Sequence, residues 1–181
     1  MAAFALAMLA GLPTFAADPD PAEAAQLINE VRQRIAGCGA MLRTSIGAGS
    51  GGNVSAAPNR PALSWNPRLA AAAEQHARSM AENAFFDHTG LDGSRVGSRT
   101  DAAGYRWRAV GENLAAGQRT LADAVQGWLL SEGHCRNLLD ERFADFGLAR
   151  VVSQRPDDRY RVYWALVLAR PAGVVRTAAA D

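Results

Sequence analysis

Lysine is absent from this chain: all 19 basic residues are arginine. GC-rich coding produces the same bias, so this absence assigns no function. Charge of either sign is in short supply, with 18 acidic residues leaving a net +1. Such a balance gives no reason to invoke nucleic acid or an anionic membrane surface as partner. Beyond the N-terminus no apolar run is long enough to cross a bilayer. No internal repeat is present, which excludes solenoids and propellers. Neither a His-Glu-x-x-His helix nor a Gly-x-Ser-x-Gly elbow occurs, so the common zinc-protease and serine-hydrolase signatures are missing. At 181 residues the chain is long enough for one well-buried domain and short for two.

What is present begins with an apolar N-terminal run ending in Thr14-Phe15-Ala16-Ala17 before Asp18-Pro19. No Arg or Lys precedes it, but the small residues suit a cleavage site after Ala16 or Ala17. Residues 1–17 therefore read as a signal peptide, and the mature chain as secreted or periplasmic. Export places the two cysteines, Cys38 and Cys135, in an oxidising compartment where a pair bridges. Their bridge would close a loop of almost a hundred residues, worth roughly 4–5 kcal/mol in the chain-entropy model.

Periodicity predicts a first helix over 19–36, with Ala24, Leu27, Ile28, Val31 and Ile35 on one face. Residues 37–61 carry Gly, Ser, Asn and Ala without periodicity and read as a loop. Asn66-Pro67 starts a second helix as N-cap and first helical residue. Its inward stripe includes His76, which reads as a core histidine with one hydrogen bond rather than a ligand. The stretch 84–105 reads as mostly irregular. A third helix runs from an N-cap at Thr120 through Leu130, anchored by Trp128. Segments 146–152 and 160–169 alternate and read as an antiparallel hairpin with Trp164 in the core. Trp107 reads as partly exposed and packed against a loop. Arg95, Arg99, Arg106 and Arg108 around Tyr105 read as a solvated basic face. The domain is expected over 18–172, with an Ala-rich tail over 173–181 that frays. Helices before and between short strands, closed by a hairpin, imply an α+β fold.

The chemistry concentrates at Gly111-Glu112-Asn113-Leu114-Ala115-Ala116-Gly117. Glu112 stands between Val110 and Leu114, and a carboxylate among apolar neighbours needs a partner. Only three histidines exist, and two flank this run: His88 in Phe-Asp-His-Thr-Gly and His134 in Ser-Glu-Gly-His-Cys. Glu112 with His88 and His134 can form a polar pocket, an acid–base pair or a zinc site with an open position.

The ordered set Phe86-Asp87-His88, Asp92-Gly93-Ser94, Ala103-Gly104-Tyr105, Gly111 to Ala115, Trp128, Ser131 to His134 and Asn137-Leu138-Leu139 resembles the bacterial branch of the CAP superfamily. That superfamily comprises cysteine-rich secretory proteins, antigen 5 and pathogenesis-related 1, and contains the SCP domain. The resemblance runs from about Ala24 to Ala169. It implies an α-β-α sandwich with a short antiparallel sheet between helical layers. It also implies a cleft holding His88, Glu112 and His134. The family's second acid falls at Ser131, with Glu132 adjacent; Ser removes a charge and an oxygen donor. Ser131 and Glu132 are both expected to line the cleft: Glu132 can swing in to replace the missing acid, although one residue along a helix end turns the direction by about 100°.

The expectation is a non-enzymatic binding module for a small or extended ligand: a lipid, a sterol or an envelope component. No cofactor is required, although His88 and His134 could hold divalent zinc, and the protein is expected to be a monomer. The alternatives are a metal-dependent hydrolase or peptidase, and an envelope protein–protein interaction module.

Overall fold

The computed structural model describes residues 19–38 and 59–173. The expected signal peptide, nearly all of the expected tail and most of the loop over 37–61 lie outside the described residues.

Helix α1 (Pro21–Arg34) starts where Asp20 accepts hydrogen bonds from the backbone N–H of Ala22 and Glu23, with Pro21 inside the first turn. It is two residues shorter at each end than its apolar pattern predicts. Strand β1 (Ser64–Trp65) leads into α2 (Pro67–Asn83). As expected, Asn66 caps α2, its side chain accepting from the Arg68 N–H at 3.0 Å, and the whole predicted stripe is buried. His76 is 1% exposed and pairs through Nε2 with the Asp87 carbonyl at 2.8 Å.

The segment expected to be irregular contains helix α3 (Val96–Ala102). With Gly and Ser in its first turn it has no apolar stripe to betray it. Local hydrogen bonds define its start: the Arg95 N–H donates to Ser98 Oγ at 3.0 Å, and Ser98 Oγ donates to the Arg95 carbonyl at 2.9 Å. Strand β2 (Trp107–Ala116) is longer than the glycine-bounded run. Half-buried Trp107 rests on α3, where a Cβ on Gly97 would come within 2.9 Å of its ring.

Helix α4 (Leu121–Leu130) begins at Thr120 in a capping box with Asp123. Helix α5 (Glu132–Leu139) follows after a single residue. Strands β3 (Asp145–Val152) and β4 (Val162–Pro171) form the expected antiparallel hairpin.

The sheet order is β1-β3-β4-β2, antiparallel except for the two-residue parallel pairing of β1 with β3. Strand β4 is central and buried from Val162 to Ala169. Successive side chains point to opposite faces. Trp164, Leu166 and Leu168 meet Ile28, Trp128 and Leu138 from α1, α4 and α5. Tyr163, Ala165 and Val167 meet Leu69, Ala73 and Met80 from α2. Two helical layers thus enclose the sheet as an α-β-α sandwich. The layer of α2 approaches so closely that a Cβ on Gly147 would lie 2.0 Å from the Ala70 nitrogen, so only glycine fits there.

Cys38 and Cys135 are bonded, with Cα atoms 5.8 Å apart across 97 positions of sequence. The bridge ties the chain leaving α1 to α5.

Candidate functional site

Glu112 lies on β2, the edge strand. Alternation turns it to the same side as Leu114, toward α2 and α3, while Ala115 faces the opposite core. Its side chain is 2% exposed. Both carboxylate oxygens are engaged. Arg99 Nη2 donates to Oε1 at 2.7 Å, and His88 Nδ1 lies 2.8 Å from Oε2.

Arg99 is a correction to the sequence reading. Arg95, Arg106 and Arg108 are exposed, as a solvated face requires, but Arg99 is 3% exposed. Its guanidinium also donates to the Ser94 carbonyl at 2.9 Å and the His88 carbonyl at 3.1 Å. One buried cation therefore neutralises Glu112 and fixes the loop that presents His88. Two signals in the sequence could have found it: an acid buried by Val110 and Leu114, and a cluster of arginines just upstream.

His134 comes from the other side. It stands in the first turn of α5, and its ring centroid is 6.3 Å from that of His88. A ladder of amides docks α5 on the edge of β2. Asn113 Nδ2 donates to the His134 carbonyl at 3.0 Å. Asn137 Nδ2 donates to Asn113 Oδ1 at 2.9 Å and to the Glu112 carbonyl at 3.2 Å. In the sequence both asparagines are only letters of motifs; pairing them needs the strand–helix juxtaposition.

Ser131 is the C-cap of α4 and the N-cap of α5, with extended backbone (φ −101°, ψ 120°). It lines the cleft with His88, Glu112, His134, Asn137 and Arg142, around a volume of about 530 Å³. Glu132 does not line it. That side chain points to solvent, 75% exposed, and pairs with Arg136 one turn along α5. It therefore does not replace the second family acid. A space of similar size, about 540 Å³, lies between α2 and β3, away from the histidines.

The two cleft histidines are biased in opposite directions. The hydrogen bond to Glu112 raises the pKa of His88 against the opposing effect of burial. Burial, reinforced by the charge of His88, lowers that of His134. Glu112 therefore favours the imidazolium at His88, while His134 favours the neutral ring.

Among the described residues, no group of three or more His, Cys, Asp or Glu side chains is arranged to hold a metal. Both oxygens of Glu112 are engaged, Oε1 by the Arg99 guanidinium and Oε2 by His88, so a zinc ion held by His88 and His134 would have to displace one of these partners to use that carboxylate. Cys135 is in the disulfide, which removes it as a nucleophile.

The sequence profile of the cysteine-rich secretory protein family, CAP, matches residues 25–168. The chain belongs to the CAP family. Over 91 residues it is 31% identical to the uncharacterized protein YkwD of Bacillus subtilis strain 168, covering 50% of this chain and 35% of that protein. It is also 31% identical over 86 residues to the uncharacterized membrane protein YlbC of the same strain, covering 48% of this chain and 25% of YlbC. The matches thus span about a third and a quarter of these relatives. A crystal structure of an extracellular SCP-domain protein from Bacillus anthracis superposes with a TM-score of 0.56 at 25% identity, over 83% of this chain and 41% of that one. An outer surface protein from Borrelia burgdorferi gives a TM-score of 0.60 at 19% identity over 86% of this chain and 98% of its own. That second likeness speaks for the CAP fold alone.

Proposed function

We propose that this CAP protein is an exported, non-enzymatic binding module whose cleft between His88 and His134 takes a small or extended envelope ligand, lipid-like in part. The observation that carries the reading is the cleft itself. Polar side chains from β2, α5 and the His88 loop converge on one solvent-open volume of about 530 Å³. Two exposed large apolar side chains, Phe86 (42%) and Leu130 (58%), stand two positions from His88 and one from Ser131 in sequence, which leaves room for a ligand with an apolar part.

Catalysis is the poorer fit. A hydrolase needs an oriented base or an activated water; Glu112 is committed to two partners, and the neutral His134 ring has no carboxylate bonded to it among the described residues to orient it. Export is supported by the disulfide, by the signal-like N-terminus, and by the likeness to an extracellular SCP-domain protein. No helix among the described residues is long and apolar enough to cross a membrane.

Native mass spectrometry of the exported protein tests the reading. A monomer is expected to carry a small-molecule adduct that His134→Ala loses with the fold intact. Hydrolytic turnover abolished by the same substitution would overturn the non-enzymatic reading. A mass increment removed by chelator would restore the metal.

A further inference from the structure

We infer that the cleft is built to receive an anionic oxygen group, a phosphate or a carboxylate, and that buried Arg99 is what gives it this polarity. The inference rests on the cleft being a binding site and names the chemistry of its ligand.

The argument is an inventory of donors and acceptors. Two carboxylates line the cleft, and neither is free to accept from a ligand. Glu112 receives Arg99 at 2.7 Å and faces His88 Nδ1 at 2.8 Å. Asp140 receives Arg142 through Nη2 at 2.6 Å, Nε at 3.0 Å and the backbone N–H at 2.8 Å. The remaining polar lining is rich in donors: His88, His134, Ser131, Arg136 and Arg142. With Nδ1 turned to Glu112, the protonated His88 offers its Nε2–H to the cleft. Arg142 uses Nε and Nη2 on Asp140, which leaves Nη1 of its planar fork for a further oxygen.

Charge agrees. Arg136 and Arg142 match Glu112 and Asp140 within the lining. Just outside it, Arg99 behind Glu112 is matched by Glu132, the exposed partner of Arg136, so the sum is neutral and becomes positive when His88 is protonated. Without Arg99, Glu112 at the floor would have only His88 to answer its charge, in surroundings too dry to screen it. It would repel an anion and attract a cation. With Arg99 in place, a cationic or purely donor ligand meets no uncommitted acceptor carboxylate.

The probes are inorganic phosphate, glycerol phosphate and vesicles of phosphatidylglycerol, with phosphatidylcholine vesicles and a sterol as controls. Ring signals of His88 and His134 are followed by NMR, and affinity by calorimetry and vesicle flotation. Phosphate and glycerol phosphate are expected to shift both rings. The double substitution Arg136→Gln/Arg142→Gln lies on exposed side chains, so the fold survives. It should weaken binding about tenfold or more, the effect of losing one or two charge-assisted hydrogen bonds. Arg99→Met, checked for folding by circular dichroism, should weaken it further. Flotation with phosphatidylglycerol but not phosphatidylcholine assigns the group to a lipid headgroup. Binding of the soluble esters alone assigns it to a free phosphate compound. Rings unmoved by every anion, or affinity unchanged in the double variant, overturn the inference. If the sterol moves the same rings while anions do not, the binding reading stands and only the polarity falls. If no probe moves them, both fall.

Discussion

Replacing Arg99 by Met tests the electrostatic centre of the molecule most directly. The guanidinium and the carboxylate of Glu112 are 3% and 2% exposed, with 2.7 Å between their bonded atoms. Met keeps most of the volume and removes the charge, leaving a carboxylate buried with only His88 to answer it. Breaking a buried pair from one side costs about 3–5 kcal/mol. For a domain of this size each kcal/mol lowers Tm by roughly 2–4 °C. Arg99→Met should therefore melt roughly 10 °C below the wild type. Arg99 also holds the Ser94 and His88 carbonyls, so the true figure should lie toward the upper end. The discriminating comparison is Arg99→Met/Glu112→Leu. Removing both charges eliminates the stranded carboxylate, and the double variant should recover a large part of the loss. The assay is urea and thermal unfolding of all four proteins in a double-mutant cycle. A single variant within 1 kcal/mol of wild type, or a double variant whose loss equals the sum of the two single losses, would refute the claim that this pair is the core of the site.

Other outcomes follow from the same structure. His88 should titrate above the ordinary histidine value of about 6.5 and His134 below it. Glu112→Gln should bring His88 down, as read from histidine C–H shifts against pH. Because the folded-state pKa of His88 is raised, its stabilisation is fully present below pH ~6.5 and is lost as pH rises through the raised value. Stability of Glu112→Gln should accordingly show a shallower fall than wild type across that window in pH-resolved melts. Reducing Cys38–Cys135 should lower stability by up to about 4–5 kcal/mol on chain-entropy grounds. Non-reducing peptide mapping of exported protein should find the linked pair, and two alkylatable thiols would contradict it. Gly147→Ala should cost at least ~1–3 kcal/mol through overpacking, seen as a lower denaturant midpoint. A neutral result would mean that α2 can move off β3.

Caps and anchors are legible in the amino-acid sequence. Asn66 and Thr120 announce their helices by local chemistry, and Trp128, Trp164 and His76 fall on stripes whose burial follows from periodicity. The hairpin follows from alternation around a turn-rich loop. Other features depend on distance. Helix α3 has seven residues and no stripe, so nothing periodic marks it. Helix α5 has eight residues with glycine in its first turn and hides behind the end of α4. Arg99 reads as one of four surface arginines because the carboxylate that holds it stands 13 positions away on another element. Resemblance places His88, Glu112 and His134 in one cleft. That Arg99 occupies Oε1 of Glu112 depends on the approach of α3 to β2, which no local pattern encodes.

The one-residue joint at Ser131 has a mechanical consequence. Helices α4 and α5 share that residue as cap, so the corner between them has no slack. Trp128, three residues before the joint, is pinned by its indole N–H to the Leu114 carbonyl at 2.9 Å. Three residues after the joint stands His134. Beyond the joint the backbone of His134 is pinned again, its carbonyl by Asn113 and its neighbour Cys135 by the disulfide. The imidazole therefore projects from a corner clamped on both sides, by a core tryptophan before the serine and by an amide and a disulfide after it. Ser131→Gly would loosen the joint, and Ser131→Pro would delete its N–H bond to the Trp128 carbonyl, 3.2 Å in the native protein. The distance between the two rings is thus set by the backbone and its clamps rather than by the imidazoles themselves.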